Sequence, residues 1–131
     1  MNVEELYRAL GANYLETKKR MGTESMIGKF IIKFLDEPTS LKLARAMEEN
    51  DIVSVFMYAH TLKGVVMNLG LSNLYNESDD NPLRNVIEIS RPFTSNDDCE
   101  EAIEQLKPHV HAYLDEYNRT LELIESYDKE N

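Results

Sequence analysis

Residues 58–70 read YAHTLKGVVMNLG, which sets a histidine, a lysine and a glycine inside an apolar, helix-forming run. A core helix has no use for those three. With His60 at zero on a helical wheel, Leu62, Val66, Leu69, Val55 and Ala59 cluster at roughly 180–260°. That arc is the stripe a helix buries. His60 lies opposite it, and Lys63 and Gly64 flank it one turn on. Val53, Phe56, Met57 and Met67 share this outward side, where a solvated helix would carry Glu, Lys and Gln. Apolar surface around a polar centre marks a docking face, and methionines suit a surface that repacks against a partner.

The residue types also fit one chemistry. A neutral imidazole is a good nucleophile near neutral pH. Phosphoryl transfer is catalysed mostly by positioning and by cations that gather the developing charge. Lys63, at i+3, is within reach of a phosphoryl group carried by His60. Gly64, at i+4, costs about 1 kcal/mol in a helix interior relative to Ala. It leaves open the space through which a donor or acceptor must approach. The rival constellation is His109 and His111 with Asp115 and Glu116, as in a hydrolase or metal protein. On one helix His109 and His111 diverge by roughly 200°. Only His111 and Asp115 share a face, so solvated polar residues explain the group better. Glu100, Glu101 and Glu104 read as a charged helix face.

The stretch AHTLKGVVMNLG, with Leu74 beyond it, closely resembles the histidine-containing phosphotransfer (HPt) domain family. The family pattern is A-H-x-L-K-G-x-x-x-x-x-G-x-x-x-L. Ala59, His60, Leu62, Lys63, Gly64, Gly70 and Leu74 occupy its fixed places. Upstream, Phe34, Asp36, Leu43 and Asp51 follow the family's run, and the resemblance covers about residues 24–78. It implies a four-helix bundle that carries phosphate on His60, with Lys63 as phosphoryl partner and Gly64 as clearance. The implied partners are a response-regulator receiver domain, whose aspartate exchanges the phosphate, and a sensor histidine kinase. No cofactor is expected on this chain, because the receiver supplies the acidic pocket and Mg²⁺. The implied role is a phosphocarrier of a two-component phosphorelay, not an enzyme. The alternative is a helical adaptor that binds receivers or kinases without carrying phosphate, which the intact His-Lys-Gly set argues against. The chain departs from the family after Leu74, where Asp79-Asp80-Asn81-Pro82 interrupts the run. Arg84 is the candidate there for a second-helix partner of the phosphate.

Around this centre the periodicity is helical throughout, and no segment alternates with period two. Short helices are expected over residues 3–10 and 12–21, and a longer one over about 24–35, ended by Asp36-Glu37-Pro38. A fourth starts at Thr39 or Ser40. The motif helix runs over about 51–69, capped by Asn50 or Asp51 and ended by Gly70. Residues 71–79 read as a further helical segment, and Pro82 opens a short one. Ser95-Asn96-Asp97-Asp98 offers caps for a last helix over 97–127, which Pro108 should kink or split. The expected fold is all-α: an up-and-down four-helix bundle with short additional N-terminal helices, in one domain over residues 1–131.

Bulk properties bound the partners. The 131 residues are 42% apolar and 29% charged, with a formal net charge of −10. Nucleic acid and anionic membranes would repel such a chain, and the densest basic run is only Lys18-Lys19-Arg20. The single cysteine, Cys99, excludes an internal disulfide and a CxxC site. The acidic, amphipathic start does not read as a secretory signal, and no apolar run approaches the ~20 residues that span a bilayer. A cytoplasmic monomer is expected.

Overall fold

A computed structural model describes all residues from Met1 to Asn131. The chain forms seven α-helices and no strand: α1 (Val3–Leu10), α2 (Tyr14–Met21), α3 (Glu24–Lys33), α4 (Thr39–Glu48), α5 (Ile52–Asn68), α6 (Pro82–Ser90) and α7 (Glu100–Glu130). A short 3-10 turn, Phe34–Asp36, follows α3. It stops before Pro38, as the restriction on residues near proline requires. Most helix starts carry their own signal. The side chains of Asn2, Asn13, Thr23, Asp51 and Asn81 each accept a first-turn backbone N–H. No helix is long and apolar enough to cross a membrane.

The helices form a bundle. α4 packs on α5, α5 on α6, α6 on α7, and α7 returns to α4, while α1 and α3 lie against α7. One contiguous core of 31 buried residues runs through them. From α5 it takes Ile52, Val55, Ala59, Leu62 and Val66, the face expected from the periodicity. The buried Tyr113 hydroxyl of α7 meets Ser40 Oγ of α4 at 2.8 Å, so neither polar group is left without a partner.

The N-terminal helices hold the end of α5. The Tyr7 hydroxyl donates to the Leu69 carbonyl, Arg20 Nη2 donates to Met67 O at 2.8 Å, and the Asn13 N–H donates to Gly70 O at 3.1 Å. These donors take up carbonyls that a helix end leaves free, and the Arg20 cation also suits the negative end of the helix dipole.

Three expectations need correction. Residues 71–79 do not continue as a helix; they form turns. Leu71, Leu74 and Tyr75 are buried at the spacing that suggested helix. The chain, however, leaves α5 through Gly70 in the left-handed region, φ +67°. Beyond it the Asn76 side chain bonds Ser72 O and the Ser78 N–H, both at 3.0 Å, offering the backbone an alternative to a helical ladder. Pro108 does not split the last helix, which is one element from Glu100 to Glu130. Its ring faces solvent, and the buried Leu106, Val110 and Tyr113 hold the helix on either side. That helix also begins at Glu100 and not at 97; of the four expected cap residues Ser95-Asn96-Asp97-Asp98 none caps it, and Asn96 bonds to α5 instead.

A polar network ties α7 to α1 and to the turn after α5. Arg119 donates to Glu116 and to the carbonyls of Ala9 and Leu10, and Asn73 Nδ2 donates to Glu116 at 2.7 Å and Thr120 at 3.0 Å. Burial pushes the Glu116 carboxyl up, but Arg119 and Asn73 together outweigh it and hold it below the usual range. A carboxyl lowered in the fold adds stability above its unfolded value, about pH 4.3, and loses it as pH falls through the folded value. The melting temperature should therefore fall on acidification below about pH 4, and less steeply in Glu116→Gln. Parallel melting curves between pH 3 and 7 check this.

Candidate functional site

α5 sets its start with its own acid and with a residue from the far loop. Asp51 Oδ1 accepts the Ser54 N–H at 3.1 Å and Oδ2 accepts the Ser54 hydroxyl at 2.7 Å. Asn96 then accepts the Val53 N–H and donates to Asp51, each at 3.1 Å. The Ser54 hydroxyl, its N–H and Asn96 all hold the Asp51 carboxyl below its ordinary value. Asn96→Ala should cost about 1 kcal/mol, the usual worth of a cap, read as a lower melting temperature with the same helical content.

The outward stripe of α5 runs from Val53 to Met67. His60 is exposed at mid-helix, Gly64 is exposed one turn on, and Lys63 is half-buried beside them. A Cβ placed on Gly64 would have no neighbour within 4 Å. Val53 is 37% exposed, Met57 52% and Met67 47%. Phe56 is half-buried, with its ring centroid 5.8 Å from that of His60. The N-terminal helices meet this stripe at its Met67 end, where Arg20 donates to the Met67 carbonyl. Five clefts of about 230–400 Å³ are lined by other residues, Met67 alone of the stripe reaching one of them. His60 therefore stands on a helix ridge, a shape that a macromolecular partner can reach.

α6 flanks the stripe on the Phe56 and Lys63 side. Arg91, just past its end, places its guanidinium carbon 5.5 Å from the Phe56 centroid and bonds Glu88 at 3.1 Å. The Arg91 hydrogen bond chiefly holds the Glu88 carboxyl below its usual range, with the charges of Arg84 and Lys63 adding to it. Lys63 Nζ lies 5.2 Å from the ring centroid of Tyr75. Arg84, the candidate from the sequence, is turned toward the preceding loop. Its Nη1 lies 3.3 Å from Asp79 and its Nε 3.7 Å from Glu77. Sequence reasoning did not find Arg91, Glu88 or Tyr75. The i, i+4, i+7 spacing of Arg84, Glu88 and Arg91 was the available signal for one charged helix face.

The rival residues do not assemble. His111 Nε2 and Asp115 Oδ2 form an exposed pair at 3.4 Å, and Glu116 is held by Arg119 and Asn73. Glu104 pairs with Lys107, while Glu100 and Glu101 face solvent.

Comparisons of the chain with protein-family models, with curated proteins and with solved structures gave no match.

Proposed function

We propose that this chain is a histidine phosphotransfer protein of a two-component phosphorelay, carrying phosphate on His60 to or from a receiver-domain aspartate. The observation that carries the reading is an exposed histidine at mid-helix beside a glycine that opens onto free space, with a lysine one turn away. The sequence resemblance to the HPt family also supports it. The reading includes an up-and-down arrangement of α4–α7, supported by the closed ring of helix contacts and the short connection between α4 and α5. It places the chain in the cytoplasm as a monomer, with a sensor kinase and a receiver as partners and neither nucleic acid nor membrane among them.

In the transfer step, an unprotonated ring nitrogen of His60 attacks the phosphorus of a receiver's aspartyl phosphate. The N–P bond forms as the P–O bond to the aspartate breaks, and its electron pair stays on the carboxylate. The other ring nitrogen keeps its proton. Lys63 offsets charge on the phosphoryl oxygens. The exposed Val53, Met57 and Met67 and the half-buried Phe56 make the apolar contact that holds the partner in line. The receiver brings its own Mg²⁺.

The test is the linkage formed on incubation with phosphorylated receiver domains encoded by the same genome. Phosphohistidine is labile to acid and stable to base. Phosphate stable to acid, or none despite stable receiver binding, would contradict the carrier reading, and the second result would favour an adaptor.

A further inference from the structure

We infer that Tyr75 is a positioning residue for Lys63, fixing the ammonium on the flank of α5 one turn from His60; this rests on the phosphocarrier reading. A surface lysine ordinarily samples many rotamers about its four-carbon stem. Lys63 is half-buried and its ammonium lies over the Tyr75 ring, 5.2 Å from the centroid. That is the distance at which an aromatic face attracts a cation.

The ring is itself held. Tyr75 is 6% exposed and belongs to the same buried core as Leu71 and Leu74. Its N–H donates to Leu71 O at 3.2 Å and its hydroxyl donates to Glu77 Oε1 at 3.2 Å. A cation parked on a fixed ring has one preferred place. The turn after Gly70 thus does more than end α5: it returns an aromatic face to the flank of the helix it has just left. A helix over 71–79 would carry Tyr75 on a different path.

Transfer from a phosphorylated receiver is measured with Tyr75→Leu, Tyr75→Phe, Lys63→Ala and the Lys63→Ala/Tyr75→Leu pair, beside a melting curve for each. Tyr75→Leu should slow the transfer step of the bound complex about tenfold, with little change in the receiver concentration at half-maximal rate. Tyr75→Phe keeps the ring face and should stay within about twofold of the parent. In the Lys63→Ala background, Tyr75→Leu should add less than about twofold, since the cation it orders is gone. In the unsubstituted protein, the NMR signals of the Lys63 ε-methylene should be shifted upfield by the ring current. An unshifted signal, or a Tyr75→Leu effect as large without Lys63 as with it, would overturn the inference, and the NMR result stands even if Tyr75→Leu unfolds. If the parent chain accepts no phosphate, the carrier reading fails and this role with it. If the parent transfers and a folded Tyr75→Leu matches it, the inference alone fails.

Discussion

Gly64→Gln should slow phosphotransfer by about 100-fold, the scale expected for ~1 Å of misplacement at reacting atoms, while the melting temperature holds or rises. The position is exposed, helical and without a neighbour within 4 Å of an added Cβ. Nothing inside the fold needs a glycine there. Gly64→Ala should therefore stabilise the chain by about 0.5–1 kcal/mol through helix propensity. A Gln side chain reaches over the same ridge as His60, where a docked partner must bring its phosphoryl group in line. Stability and activity then move in opposite directions at one residue, as expected where a residue serves an interface and not the core. A melting curve paired with a transfer rate decides it. A Gln variant that transfers at the parent rate would remove the clearance role from Gly64.

Gly70→Ala should do the reverse, costing about 2–4 kcal/mol of stability from backbone strain and overpacking together. Gly70 has φ +67°, and its added Cβ would lie 1.7 Å from Thr17 Oγ1 and 3.0 Å from Asn13 O. The first contact cannot exist, so the Thr17 hydroxyl must turn away, and the 3.0 Å approaches to Asn13 O and Thr17 Cβ press α2 off the end of α5. With it would go the Asn13 bond to Gly70 O and the Thr17 hydroxyl, 3.4 Å from Leu69 O. Below its lowered melting temperature the variant should still carry phosphate, because His60 lies more than two turns away. Denaturant titration of Gly70→Ala beside Gly64→Ala makes the comparison direct. Equal stabilities would show that the two glycines are not divided between fold and interface.

The helix order was legible in the sequence because most starts carry their own cap and α5 carries an uninterrupted buried face. Asn2, Asp51 and Asn81 stand where caps are needed, and Val55, Ala59, Leu62 and Val66 alone place His60 outward. The turn at 71–79 was not legible. Its buried Leu71, Leu74 and Tyr75 share the spacing of a helix, and the side-chain bonds of Asn76 that favour turns leave no periodic trace. The start of α7 was misplaced for a related reason: Asn96 is a cap, but for α5, across a sequence separation of 43 residues. At the site, His60, Lys63 and Gly64 could be read because they sit on one helix. Arg91 and Tyr75 could not, since their nearness to Phe56 and Lys63 depends on how α6 and the turn pack back on α5.

The central claim is that phosphate is carried on His60, and its most direct test is the position of the phosphoryl group after exchange with a phosphorylated receiver. The chain and its His60→Gln variant are incubated side by side, kept at alkaline pH, digested, and the modified peptide located by mass. The account predicts phosphate on His60 in the parent. It predicts none anywhere in His60→Gln, whose melting curve should match the parent because the side chain is solvent-exposed. Phosphate retained by the variant, or found in the parent on His109 or His111, would contradict it.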